Sequence, residues 1–81
     1  MEWKLFADLA EVAGDRHVEV DVDEGGTVGD AFWALLDDRP PLRDRVLDEE
    51  GELRDHINVL RNGHNVFSEE DGWETALQAS D

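Results

Sequence analysis

The chain has 81 residues, no cysteine and 22 acidic against 7 basic residues, for a formal net charge of −15. Such a length holds a single domain, 1–81, near the lower size at which one apolar core suffices, and without cysteine there is no disulfide framework, thiolate metal site or cysteine nucleophile. Phosphate contacts need clustered Lys and Arg, so no nucleic acid is expected as partner; no apolar run resembles a signal peptide or approaches the roughly 20 residues of a membrane span, so no membrane is expected either and the expected compartment is the cytoplasm.

Along the chain, Trp3 and Leu5 alternate with Lys4 and Phe6, the pattern of a strand with one face on a core. Asp8 is placed to cap a short helix whose Leu9 and Val12 point inward and which Gly14 ends. Val18, Val20 and Val22 alternate with Glu19 and Asp21, giving a second strand with an acidic outer face. After a Glu24-Gly25-Gly26 turn, Thr27 followed three residues later by Asp30 approximates a capping box, and Val28, Phe32, Leu35 and Leu36 make the apolar stripe of the main helix. Trp33 falls off that stripe, and Pro40-Pro41 ends the helix.

Leu42, Val46 and Leu47 suggest a further helical turn, followed by a solvated loop from Asp48 to Glu52. A strand is expected from Leu53 to Arg61, with Asn62-Gly63 as a two-residue hairpin turn and His64 to Phe67 returning. Beyond it, Trp73, Ala76 and Leu77 are the only apolar anchors up to Asp81, which reads as a connecting turn.

Charge of this size destabilises a compact state in dilute buffer. At about 1 M salt the Debye length falls to roughly 3 Å and the same surface becomes tolerable. Together with Lys4 as the one lysine beside six arginines, this reads as adaptation to a salt-rich cytoplasm. Periodic apolar segments argue against the disorder that high charge with low hydrophobicity would give; an acidic decoy of the nucleic-acid backbone is a further alternative.

Ile57-Asn58-Val59-Leu60-Arg61-Asn62-Gly63, together with the opening run from Trp3 to Gly14 (WKLFADLAEVAG), resembles the small sulfur-carrier and ubiquitin-like modifier family. That family includes the molybdopterin synthase small subunit, the thiamine sulfur carrier and the small archaeal modifier proteins, and the likeness is to the haloarchaeal type. It implies an α+β fold of β-grasp type, with a sheet crossed by one main helix, in agreement with the order strand, strand, helix, strand, strand. One departure is large. Relatives run on into a last strand, which pairs between the first and third, then a Phe-Pro-Pro segment and a terminal Gly-Gly; this sequence stops at Asp81 without them. The expectation is a piece of a longer chain; the alternatives are a short paralogue that has lost the carrier function and an open sheet edge filled by another chain.

The resemblance implies a carrier or modifier, not an enzyme, with no catalytic side chain and no bound cofactor. ATP would be used by an E1-like adenylating partner, which turns the C-terminal glycine carboxylate into an acyl-adenylate and then a thiocarboxylate or thioester. Other implied partners are the molybdopterin synthase large subunit and target proteins modified on lysine. The rival is a tail-less ubiquitin-like binding module. Docking would use an exposed apolar patch: alternation puts Phe6 opposite Trp3 and Leu5, turns Ile57 and Val59 inward, and leaves Asn58 and Leu60 outside. Phe6, Asn58 and Leu60 are therefore the candidate partner-binding residues, against the reading that the apolar two pack under a last strand or in a secondary core. Lys4 is the candidate acceptor for a modifier, against the reading of a solvated strand residue.

No metal is expected. Asp21, Asp23 and Glu24 fail as a calcium loop because position 12 from Asp21 is Phe32, and His17, His56 and His64 match no zinc-ligand spacing. Asp37-Asp38 and Glu49-Glu50 lack surroundings that would split a pair of pKa values, and the acidic residues beside Gly25-Gly26 would repel a phosphate.

Overall fold

The computed structural model describes residues 1–77. Strand β1 (Glu2–Lys4) pairs antiparallel with β2 (His17–Glu19), Trp3 standing opposite Val18. Leu5 N–H donates to the Arg16 carbonyl at 2.7 Å and Val20 N–H to the Met1 carbonyl at 2.9 Å, so the backbone contact outruns the regular strands. In an antiparallel ladder alternate residues face the partner. Met1, Trp3 and Leu5 thus direct their backbone polar groups at β2, and Glu2 and Lys4 direct theirs to the other edge, while the Phe6 carbonyl accepts from Leu9 N–H at 3.1 Å.

Helix α1 (Ala7–Ala13) fills the connection between these strands. Asp8 does not cap it: the cap position is Phe6, with no side-chain bond, and Asp8 lies in the first turn, where its charge suits the positive end of the helix. Gly14 does end it, at φ 86°, with its N–H bonded to Ala10. Helix α2 (Val28–Asp38) opens on the expected capping box: Thr27 N–H donates to Asp30 Oδ2 at 3.0 Å, and Asp30 N–H to Thr27 Oγ1 at 3.2 Å. It buries Val28, Ala31, Phe32, Leu35 and Leu36 and leaves Trp33 half exposed. A 3-10 turn at Pro40–Leu42 leads into the short helix α3 (Arg43–Val46), where the sequence pattern placed a helical turn.

The strand expected from Leu53 to Arg61 is not continuous. Leu53 bridges back to Leu47, Arg54 N–H bonds to the Val46 carbonyl, and Ile57 N–H turns onto Arg54, so β3 is only Leu60–Arg61. The cause is the Asp48 carboxylate, whose Oδ1 accepts from the N–H groups of Glu50 at 2.9 Å and Glu52 at 3.0 Å and closes the 48–52 loop into a tight hairpin. The returning strand also ends early, as β4 (His64–Asn65), because Asn65 Oδ1 accepts from Phe67 N–H and caps helix α4 (Val66–Glu69). Between β3 and β4 the Asn62-Gly63 turn forms as read, both residues at positive φ.

Residues after α4 are more ordered than a connecting turn. A 3-10 turn at Gly72–Glu74 is followed by a segment that lies antiparallel to the start of α2, through Val28 N–H to Thr75 O at 2.9 Å and Leu77 N–H to Gly26 O at 3.0 Å. The rest of the stretch expected as that turn lies outside the described residues. Among the described residues the strands form two separate hairpins, and no pairing joins β1 to β3.

The main core gathers Leu5, Val18, Val20, Leu35, Leu36 and Leu42 around Phe32, and a smaller cluster of Val28, Val59 and Val66 adjoins it. Trp3 and Trp73 touch both. Phe32 meets Trp3 edge-on at 6.4 Å and Trp73 at 4.7 Å, so helix α2, the first strand and the last turn share one ring. A surface of this charge carries few attractive pairs to offset repulsion; the exposed ones include Arg39 with Asp15 at 3.1 Å and with Asp38. Raising KCl from about 0.1 M to about 2 M is therefore expected to increase the thermal midpoint by about 10 °C. A midpoint that stays level or falls over that range in a calorimetric scan counts against repulsion as a main destabilising force.

Candidate partner-docking face

Alternation along β1 and along 57–60 sets out the expected face. Phe6 is 64% and Leu60 55% exposed, and Asn58 is exposed, while Val59 is buried and Ile57 half-buried. Neither Phe6 nor Leu60 joins a core cluster among the described residues, which argues against packing in a secondary core.

Between the two hairpins lies an open cleft of about 110 Å³, lined by Glu2 and Trp3 of β1, Leu60 and Arg61 of β3, and Val28 and Leu77. In the second hairpin Val66 N–H bonds to the Val59 carbonyl and Arg61 faces His64 across the turn, so Val59 and Arg61 address β4 and the Leu60 backbone turns away from it. The outward backbone groups of Glu2 and Lys4 and those of Leu60 thus belong to the edges that border this cleft. Leu77 brings the chain to its rim.

Lys4 is exposed on β1 opposite His17. The N-terminal amine is tied instead to the Val20 carbonyl at 3.2 Å, which leaves the Lys4 ammonium as the more accessible amine.

The histidines do not converge. His17 Nδ1 lies 3.4 Å from Glu2 Oε1 in the first hairpin, His64 Nδ1 lies 3.3 Å from Glu69 Oε1 in the second, and His56 is exposed in the turn after Leu53. Among the described residues no group of three His, Asp or Glu is arranged to hold a metal ion, and no described helix is long and apolar enough to cross a membrane.

Glu69 has its carboxyl held below the ordinary glutamate value, first by the Asn65 N–H bonded to its Oε2 at 2.9 Å and then by His64. Because the folded-state pKa is the lower one, this contribution is present above the ordinary carboxylate pKa and is lost as pH falls through the lowered value. In carboxyl-detected NMR Glu69 is expected to titrate below the ordinary glutamate value, and Asn65 N–H loses its acceptor as it does so; titration at the ordinary value would remove the assigned cause.

Sequence reasoning missed Arg61 and Glu70. They pair at 2.9 Å with side chains only 15% and 24% exposed, and the buried Glu70 Oε2 has no hydrogen-bond partner among the described residues. An isolated Glu-Glu-Asp run carries no signal for this, because the pairing depends on α4 folding back toward β3.

Small archaeal modifier protein 1 of Haloferax volcanii is 68% identical to the chain over 63 residues, which span 78% of this chain and 72% of that protein. Small archaeal modifier protein 3 of the same organism is 38% identical over all 81 residues, covering 86% of its own length. The chain belongs to the small archaeal modifier protein family. Two crystal structures of small archaeal modifier protein 1 from Haloferax volcanii match the fold with TM-scores of 0.86 and 0.85 at 56% identity, over 96% of this chain and 82% and 84% of theirs. No protein-family model matches. As a member of the small archaeal modifier proteins the chain has the α+β ubiquitin-like β-grasp fold and the role of a modifier or carrier rather than a catalyst.

Proposed function

We propose that this domain is the docking handle of a ubiquitin-like carrier whose reacting group is a C-terminal glycine beyond Asp81, activated by an E1-like adenylating enzyme. The observation that carries the reading is the 68% identity to a small archaeal modifier protein. Phe6, Asn58 and Leu60 supply the surface: two large apolar side chains held in water on a domain this acidic are costly unless a partner covers them. In the proposed reaction the glycine carboxylate attacks the α-phosphorus of ATP and pyrophosphate leaves. A sulfur donor or a lysine amine then displaces AMP from the adenylate. Glycine suits that task because, with no Cβ, it passes a narrow channel in conformations closed to other residues.

Use in sulfur transfer with the large subunit of molybdopterin synthase, and use in conjugation to target lysines, share this activated tail. Lys4 is the side-chain amine at which the molecule itself would accept a modifier, so long branched chains are not expected. The proposed compartment is the cytoplasm, where ATP and the activating enzyme are available.

The test is the intact mass of the protein purified from its native cells in high salt. A C-terminal Gly-Gly or thiocarboxylate beyond residue 81 supports the carrier; a mass equal to residues 1–81 leaves the binding module. Separately, Phe6→Ser and Leu60→Ser are each expected to weaken engagement of the activating enzyme about tenfold, read by ATP–pyrophosphate exchange, with little change in stability. Unchanged exchange in both variants would remove the docking face from the proposal.

A further inference from the structure

Away from the sheet, helix α2 and the 48–52 loop enclose a cleft of about 260 Å³ lined by Phe32, Trp33, Trp73, Leu47, Leu53 and Glu52, with Gly51 beside it. That is below the roughly 300 Å³ at which pockets for drug-sized ligands begin, and is enough for one inserted side chain. Three of the walls are aromatic. Phe32 meets Trp33 at 5.9 Å and 75°, and Trp73 at 4.7 Å and 40°, while Trp73 is buttressed from behind its turn by Phe67 at 4.8 Å. The rings are therefore fixed at angles to one another, with Trp33 half exposed.

Aromatic faces carry the negative part of the ring quadrupole, and a carboxylate in the same cleft adds a full negative charge. The Glu52 backbone is held by its loop: its N–H donates to Asp48 Oδ1 at 3.0 Å, and its carbonyl accepts from Asp48 N–H at 2.8 Å, so the residue stays at the rim of the cleft. Glu49 and Glu50 in the same loop deepen the potential. The chemistry that fits is cationic. The chain already uses it once, since the Arg43 guanidinium lies 5.7 Å from the centre of the Trp33 ring.

We propose that this cleft takes an arginine side chain from a partner protein, the guanidinium stacking on Trp33 and Trp73 and pairing with Glu52. Arginine rather than lysine follows from the salt reading. A lysine ammonium is strongly hydrated and depends on charge attraction that concentrated salt screens, whereas a planar guanidinium sheds water more easily and stacks. The site is separate from the sheet face and does not rest on the carrier chemistry.

The experiment titrates the 15N-labelled chain with an acetylated, amidated Gly-Arg-Gly peptide and with its citrulline analogue, which keeps the shape and loses the charge, at about 2 M KCl. The indole N–H signals of Trp33 and Trp73 are expected to move saturably, with a Kd on the order of millimolar, as befits a single side chain. That of Trp3, which donates to the Ala31 carbonyl at 3.0 Å, is the internal control and stays. The citrulline peptide is expected to bind at least about fivefold more weakly, Glu52→Gln to weaken the arginine peptide about threefold, and Trp33→Ala about fivefold. Glu52 is exposed, so its variant folds even if Trp33→Ala does not. Equal responses to arginine and citrulline, shifts at Phe6 and Leu60 instead of the indoles, or tighter binding of choline than of the arginine peptide would each overturn the proposal.

Discussion

Phe32→Ala is expected to lower the stability of the domain by about 3–5 kcal/mol. A domain of this size has a total of about 4–12 kcal/mol at the usual stability per residue, so the substitution removes a large share of it. Phe32 is 4% exposed and lies against Trp3, Trp33 and Trp73, ring to ring. Neighbouring indoles are too large and too well fixed to collapse into the space, since Trp3 is held by its bond to Ala31 and Trp73 by its turn and Phe67. The loss therefore includes the cavity as well as the transfer free energy. Urea unfolding in high salt measures it, with Phe6→Ala as the comparison: at 64% exposure Phe6 is expected to change stability by no more than about 0.5 kcal/mol. A cost below about 1.5 kcal/mol for Phe32→Ala would mean that the aromatic cluster is not the centre of the fold.

Gly26→Ala is the second large effect, about 2–3 kcal/mol, and its origin is space. Gly26 is buried in the turn before α2, where a Cβ would overlap Val22 Cγ1 and come within 2.9 Å of the Asp23 carbonyl oxygen. The Val22 methyl can rotate or be removed; the Asp23 carbonyl cannot, because it accepts the Gly26 N–H at 2.8 Å and defines the turn. Any shift of Gly26 also moves its carbonyl, the acceptor for Leu77. Gly25 is the contrast. There φ is +84° but nothing lies within 4 Å of an added Cβ, so Gly25→Ala is expected to cost only about 1 kcal/mol, from the backbone alone. Adding Val22→Ala to Gly26→Ala should recover part of the loss and not all of it. If the two glycine variants are equally destabilised, the steric account fails.

Elements whose signals are local were legible before the structure. Thr27 and Asp30 need only each other to start α2, Gly14 needs only its own backbone freedom to stop α1, and Asn62-Gly63 needs only two residues at positive φ. Phe6, Asn58 and Leu60 were placed on the outer side by a period of two, and Val59 on the inner. What failed depended on competition between side chains and the ladder. Asp48 draws two amides of its own loop and brings Leu53 back to Leu47, which shortens the third strand. Asn65 caps a helix where its neighbours Val66 and Phe67 have strand propensity. The Trp33 cleft was legible only as an anomaly, an aromatic residue off the apolar stripe, because its other walls come from Leu53 and Trp73, distant in sequence.

The meeting of Trp3, Phe32 and Trp73 around one point has a consequence for biosynthesis. A nascent chain that has delivered β1, α1 and α2 to the ribosome surface still has the Trp73 side of Phe32 bare and the Gly26 carbonyl without Leu77. Closure of the domain waits for Trp73, about 40 residues after Phe32 along the chain, so contacts distant in sequence set the pace at which the core is completed.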